Sequence, residues 1–398
     1  MATGLTKKQG MTTNSALRVA LIGTGFMGRL HSIAYAILPS FFPRLPPVRR
    51  QVVVDVTEEL AQRGAKQFGY EEWAIDWKKV IARDDIEIVD ITVPNDLHRP
   101  IAEFALQHGK HVLCEKPLAL SAEEASRMSQ CARRSTAVHM VAFNYRRCSA
   151  VLEAKRLIDS GALGKIFHFR ALYLQDWALP AETPFTWRFS AAQSGSGALG
   201  DIGSHAIDLA IHLVGEIASV VGVAETFVGT RPEAGSNDSR SVDVDDCAVA
   251  LLRFANGAVG TLEASRFSYG RKNFLTFEIS GSNGALAFNW ERSNELRFCS
   301  AEDRKELQGF RTIITGPAHP YGEVFWPIPG LGTAFIETQV IQIGDFIRAI
   351  SEGKPAGTGF DHGWRVQEVM EAILTSARRR KWMGVGPAAV INEKGTER

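Results

Sequence analysis

Residues 17–28 read Leu-Arg-Val-Ala-Leu-Ile-Gly-Thr-Gly-Phe-Met-Gly, an aliphatic run closed by three spaced glycines. An uninterrupted apolar run of this length marks a strand buried on both faces, as in a parallel sheet. The residues that follow, Arg29 to Leu38, carry apolar side chains at helical spacing. Gly23, Gly25 and Gly28 therefore form a G-x-G-x-x-G between a strand and a helix, the context in which that pattern carries meaning. The first glycine makes the tight turn and the second lets the backbone approach a pyrophosphate. The third brings helix and strand close together. Phe26 and Met27 open the helix, whose free N–H groups and dipole favour an anion.

Working outward, strand and helix signals alternate. Gln51 to Val54 is a strand ending at Asp55, Glu58 to Phe68 a helix, Ile86 to Val93 a strand and Pro100 to His108 a helix. His111 to Cys114 is a strand running into Glu115-Lys116-Pro117. Ser121 and Glu124 form a capping box for the next helix, and Val138 to Phe143 closes the series. This alternation predicts a doubly wound parallel α/β sheet. Asp55, at the end of the second strand, is placed to bind both hydroxyls of an adenosine ribose and to repel a 2′-phosphate, which favours NAD over NADP. It lies 27 residues beyond Gly28, an interval lengthened by the insert Pro39 to Pro47. Ligands bind beyond the carboxyl ends of such strands, so Thr92, Pro94, Asn95, His98, Glu115 and Lys116 belong to the crevice.

After about residue 145 the pattern changes. A helix from Val151 to Ser160 leads to a strand from Lys165 to Leu174. Beyond a helix around Asp201 to Leu213, short strands dominate, at Val220–Phe227, Cys247–Phe254, Ala258–Ser265, Phe274–Ser280 and Ala285–Phe288. Asn256-Gly257 and Asn283-Gly284 are hairpin signals, because both turn positions must tolerate positive φ. The run Arg231 to Asp246 reads as a polar surface loop. The second half is an antiparallel α+β unit. The expected division is 15–145 for the cofactor domain and 146–398 for the substrate and oligomerisation domain, with a final helix near Trp364 to Arg380 packing back on the first.

The 398 residues suit two or three domains at about 150 residues each. With 45 Lys plus Arg against 44 Asp plus Glu, there is no basic surplus for nucleic acid and no acidic tail. A hydrophobic share of 45% excludes collagen-like, disordered and coiled-coil classes. The five cysteines are scattered without a C-x-x-C pair, which argues against a disulfide framework or a zinc knuckle. Residues 1–16 lack the apolar core of a signal peptide and read as a polar arm, with Met11 a second candidate start. No stretch of about 18 apolar residues is present to span a membrane. A reducing cytoplasm is the expected compartment.

Asp201 and His205, four residues apart, share a helix face, continued by Asp208 and His212. Three readings compete: Asp201 as a helix cap with a core histidine, an Asp/His metal ladder, or a general base with its carboxylate. Spacing alone leaves the cap ahead.

The glycine motif, Pro94-Asn95-x-x-His98, Glu115-Lys116-Pro117, Asn144-Tyr145-Arg146-Arg147 and Gly197-Ala198-Leu199-x-Asp201-x-Gly203-x-His205 together resemble the Gfo/Idh/MocA oxidoreductases, from about Ala16 to near the C-terminus. That resemblance implies a Rossmann domain followed by an open-faced antiparallel sheet domain. It also implies catalysis by Lys116, Asp201 and His205, with no metal. Asn144, Trp187 and Arg188 join the expected cofactor contacts. Segments 143–147, 173–177, 187–189, 315–323 and 326–329 are similar to a subgroup that oxidises the C3 hydroxyl of anhydropyranoses with NAD. For a sugar, Tyr145, Arg146, Gln175, Asp176, Trp177 and Tyr321 are candidate contacts, since aromatic faces pack on C–H faces and polar groups meet hydroxyls. Each aromatic reads equally well as a core residue. His205 is expected to take the hydroxyl proton, because imidazole titrates near neutrality. Lys116 would donate to the alkoxide; in the alternative, Lys116 is the base. Other polyols, inositols included, and a tightly held, recycled cofactor are rival readings. The resemblance also implies a homodimer or homotetramer paired through the open sheet faces.

Overall fold

The computed structural model describes residues 16–326, 328 and 330–386. The polar N-terminal arm and Pro327 and Pro329 of the subgroup segment lie outside these residues. The first sheet has six parallel strands, β1 (Leu17–Ile22), β2 (Val48–Val54), β3 (Glu72–Ala74), β4 (Ile88–Ile91), β5 (His111–Cys114) and β6 (His139–Val141), in the order 3-2-1-4-5-6. Alternate residues of β1 explain its unbroken apolar pattern. Val19 and Leu21 pack on one side with the Phe26–Phe41 and Phe335–Glu352 helices, whereas Ala20 and Ile22 enter the core on the other.

The second sheet has nine strands. They are β7 (Ile166–Leu174), β8 (Ile217–Glu225), β11 (Cys247–Phe254), β12 (Val259–Ser265), β13 (Phe274–Gly281), β14 (Gly284–Asn289), β15 (Glu295–Ser300), β16 (Arg311–Ile314) and β17 (Met383–Gly384). β9 (Thr230–Pro232) and β10 (Ser239–Ser241) form a separate ribbon. The nine-stranded sheet is mixed rather than wholly antiparallel, because β7 pairs in parallel with β12 and antiparallel with β13. One face is open. Along β11, Ala248, Ala250 and Leu252 are buried while Val249 and Leu251 are exposed, the alternation of a sheet covered on one side. The Phe360–Arg379 helix lies against β8 and against the Ala122–Arg133 helix of the first half. Its Asp361 meets Ser129 and Arg133, and its Glu371 accepts from the Ala122 N–H at 2.8 Å. Among the described residues no helix is long and apolar enough to cross a membrane.

Several local expectations change. β4 is shorter than Ile86–Val93, and its Asp90 is fully buried. Arg231–Asp246 is not simply a surface loop. It carries the β9–β10 ribbon, and Arg231 is buried, donating to the Ala178 and Pro180 carbonyls. At the two Asn-Gly turns only Gly257 has positive φ, +89°, so neither turn needs both residues in the left-handed region. Ser121 accepts from the Glu124 N–H at 3.2 Å, but the Glu124 carboxylate takes the N–H of Leu120, one residue short of a full capping box. The Phe335–Glu352 helix was not anticipated, although Val340, Ile343, Phe346, Ile347 and Ile350 give it a clear apolar face. The Pro39–Pro47 insert extends the first helix, and Phe42 packs edge-on against Tyr321 and Phe325, away from the glycine turn.

Candidate active site

A cleft of about 730 Å³ runs between the ends of the first sheet and the second sheet. Its cofactor end begins at the glycine turn, where the three glycines have separate reasons. Gly23 has φ +102°, and a Cβ there would lie 2.6 Å from the Thr92 carbonyl oxygen. A Cβ on Gly28 would meet the Gly23 carbonyl at 2.1 Å, so Gly28 packs helix on strand and does not line the cleft. Gly25 has nothing within 4 Å of its missing Cβ, and it starts the Phe26–Phe41 helix without a side-chain cap. An open approach to uncapped N–H groups fits a pyrophosphate. Asp55 is already oriented. One carboxylate oxygen accepts from the Thr24 N–H at 2.8 Å and from the Thr24 hydroxyl, and the other accepts from the Val56 N–H at 2.7 Å.

The loops after β4 and β5 are tied down by the residues expected there. The Thr92 hydroxyl donates to the Gly23 carbonyl at 2.9 Å, and the Asn95 amide donates across the cleft to the Ser194 carbonyl at 2.9 Å. His98 is buried, with ring nitrogens 2.9 and 3.0 Å from the Pro117 and Val93 carbonyls. It therefore braces both loops from behind rather than touching a ligand. Glu115 lines the cleft and meets buried His31 at 3.2 Å, while His31 meets Asp90 at 3.0 Å. Burial opposes charge on the imidazole, but Asp90 and Glu115 prevail and hold its pKa up at about 10. Pro94, Asn144, Trp187 and Arg188 complete this end, with the Arg188 guanidinium 4.4 Å over the Trp187 ring.

At the cleft centre, Lys116 Nζ donates to the Asp201 main-chain oxygen at 2.7 Å and lies 3.5 Å from its carboxylate. Asp201 sits in a single π-helical turn, Leu199–Gly203, that opens the Ser204–Leu213 helix; such turns are rare and concentrate at functional sites. Asp201 makes no capping bond, so the capping reading falls. The cap is Asp245, whose two carboxylate oxygens accept from the Gly197 and Leu199 N–H groups, each at 2.7 Å. Burial works to raise the Asp201 pKa, but Lys116, with Arg188 at 3.8 Å and Arg266 at 3.9 Å, holds it below the usual carboxylate range. His205 is buried, its Nδ1 has no partner among the described residues, and Tyr145 packs edge-on at 4.6 Å. Burial, then the charge of Lys116, pushes its pKa well down, so the imidazole is neutral.

Asp208 does not continue a ladder into the cleft. Its carboxylate pairs with Arg146 and, at 2.6 Å, with His362. Arg146 is thus consumed in a buried ion pair and is not a sugar contact. No group of three or more metal-ligating side chains occurs among the described residues.

Of the residues expected to face a sugar, Tyr145 and Gln175 line the cleft, whereas Asp176, Trp177 and Tyr321, like Arg146, do not. The Asp176 carboxylate accepts from Lys272 at 2.6 Å and sits behind that residue, and Trp177 donates to Gln175 from the rim. Tyr321 bonds to Asp345 and packs on Phe42, because the insert draws it away. Unforeseen members are Tyr173, Lys272, Asn273 and Phe335 in the wall and Arg266 behind Asp201. Tyr173 was within reach of the sequence, since it shares a strand face with Gln175 two residues on. Nothing marks Asn273 or Arg266 locally.

Residues 17–143 match the oxidoreductase family with an NAD-binding Rossmann fold, and residues 151–287 match the GFO/IDH/MocA C-terminal domain. Levoglucosan dehydrogenase of Pseudarthrobacter phenanthrenivorans is 46% identical over 93% of this chain and 98% of its own length. A scyllo-inositol 2-dehydrogenase (NAD(+)) of Bacillus subtilis is 28% identical over 87% of this chain and 90% of its own length. Among solved structures, levoglucosan dehydrogenase in complex with NADH and levoglucosan superposes with a TM-score of 0.91 at 47% identity, covering 93% of this chain and 100% of that one.

Proposed function

The chain belongs to the Gfo/Idh/MocA family of NAD-binding oxidoreductases, and from that premise we propose that it oxidises a ring secondary hydroxyl, the C3 hydroxyl of levoglucosan or a similar pyranose, to the keto sugar. Bound NAD supplies the hydride acceptor. Gly25, Phe26 and Met27 would hold its pyrophosphate and Asp55 its ribose. Glu115, Asn144, Trp187 and Arg188 would surround the remainder.

Neutral His205 accepts the proton of the reacting hydroxyl, which a protonated imidazole could not do. Lys116 donates to the oxygen as negative charge develops on it, and its attachment to the Asp201 carbonyl fixes where the ammonium sits. The Asp201 carboxylate, kept ionised by three cations, binds the neighbouring sugar hydroxyl. The observation that carries this reading is the convergence of Lys116, Asp201 and His205 in the same cleft as the glycine turn.

Residues 15–145 act as the cofactor unit and 146–398 as the substrate and oligomerisation unit. The exposed Val249, Leu251 and Val259 on the open sheet face support a homodimer or homotetramer, read out by light scattering. Five free thiols support a reducing cytoplasm. The deciding experiment measures initial rates of NAD reduction with levoglucosan, glucose, 1,5-anhydroglucitol and myo-inositol side by side. The highest kcat/KM is expected with levoglucosan; a clear preference for myo-inositol overturns the assignment.

A further inference from the structure

Four cleft-lining side chains, with Trp177 at the rim, fix one another's hydrogen-bond direction. The Trp177 indole N–H can only donate, so the Gln175 atom 2.9 Å from it is the amide oxygen. The Gln175 amide nitrogen then donates to Asn273 Oδ1, at 2.9 Å. The same Oδ1 accepts the Tyr173 hydroxyl at 2.6 Å, which uses that phenol's single proton. Tyr173 Oη must therefore accept from the Tyr145 hydroxyl, 2.7 Å away, and Tyr145 Oη accepts from Asn273 Nδ2 at 3.0 Å. The ring Asn273–Tyr145–Tyr173 is closed and runs one way.

Neither phenol has a proton left for a ligand. Toward the cleft both offer lone pairs only, suited to a sugar hydroxyl acting as donor. Asn273 is the reverse. Its carbonyl oxygen holds two donors, and its amide nitrogen keeps a second hydrogen that no described residue takes up, on a side chain lining the same cleft as His205 and Asp201. The two phenols can satisfy a hydroxyl that donates but not an oxygen that can only accept, so within this closed ring the Asn273 amide hydrogen is the group that can meet an ether oxygen.

We propose that Asn273 is a specificity-determining residue that reads an ether oxygen of the substrate, ring or bridging, through its free amide hydrogen. The inference rests on the sugar-dehydrogenase reading above and narrows it to cyclic ethers over carbocyclic polyols of similar size.

The test compares kcat/KM for levoglucosan, with two ether oxygens, 1,5-anhydroglucitol, with one, and myo-inositol, with none. Asn273→Asp keeps the shape, and its carboxylate can take both phenol protons in exchange for the Tyr145–Tyr173 bond, but it turns an acceptor toward the ether oxygen. The levoglucosan-to-inositol ratio is expected to fall by at least about tenfold, with KM for NAD unchanged. Levoglucosan quenching of NADH fluorescence should weaken in parallel, a readout independent of turnover. Tyr145→Phe removes the acceptor of one Asn273 hydrogen but leaves the donor, so it should raise sugar KM while preserving the ratio; it serves as the second variant if Asn273→Asp does not fold. An unchanged ratio in Asn273→Asp, or its collapse in Tyr145→Phe, overturns the role of Asn273 and leaves the dehydrogenase reading standing. Wild-type inactivity on all three compounds overturns that reading and this inference with it.

Discussion

The two ends of the cleft are built by different means. The cofactor end is mostly backbone: three glycines, an uncapped helix start and one carboxylate, most of it within a stretch of about forty residues. The sugar end is mostly side chain, gathered from Tyr145, Tyr173, Asp201, His205 and Asn273 and supported by pairs that join residues 146 and 208, or 245 and 197. A backbone site depends on where chain cannot clash. A side-chain site depends on long-range pairings that must each be satisfied, and it fails through any of them.

The sharpest way to test this division is His205→Ala. Turnover should drop by about 10²–10⁴, while the dissociation constant for NAD, read by fluorescence titration, stays where it was. A matching loss of NAD affinity would mean the two ends are not independent. Next is Asp208→Asn, outside the cleft lining, which leaves buried Arg146 and half-buried His362 without their anion. It should cost about 3–5 kcal/mol in urea unfolding, and a near-wild-type midpoint would show that the sugar end does not lean on that pair. Asp55→Ala tests the other end alone: KM for NAD is expected to rise about tenfold with kcat nearly unchanged.

Two smaller effects follow from charge. His205, with its pKa pushed well down, is already deprotonated at pH 6–7, so kcat/KM should be flat where an ordinary histidine base would show a limb near pH 6.5. His31 belongs to the cofactor end and has the opposite sign. Its pKa is raised in the folded state, to about 10. The stability it contributes is complete below the unfolded value of about 6.5 and is lost as pH rises toward 10. Melting temperature should therefore decline from pH 7 to 10 in the wild type, and His31→Gln should flatten that decline.

The same division explains what could be read in advance. Strand β1, the glycine roles and Asp55 depend on neighbours within a few residues, so their pattern is visible in the chain itself. Lys116, Asp201 and His205 were visible through a family resemblance, since spacing alone favoured a helix cap at Asp201. That cap proved to be Asp245, 44 residues away in what looked like a solvated loop. Arg146 and Tyr321 looked like ligand contacts because arginine and tyrosine are good ones, yet Asp208 and Asp345 claim them in the fold. Asn273 carries no local signal at all. Its importance comes from two tyrosines, more than a hundred residues apart from it in one case.

The π-helical turn at Leu199–Gly203 makes the Asp201–His205 pair sensitive to chain length in a way it is not sensitive to composition. Replacing a residue leaves the number of residues in that turn alone. Deleting one would let the segment close as ordinary α-helix, and everything before it would swing by about 100° around the axis relative to His205. Asp201 would then point off Lys116, and Gly197 and Leu199 would lose their shared carboxylate. Like a gear with one extra tooth, the turn meshes at a single setting, and the harshest mutation for this site is the loss of one small residue rather than the exchange of a large one.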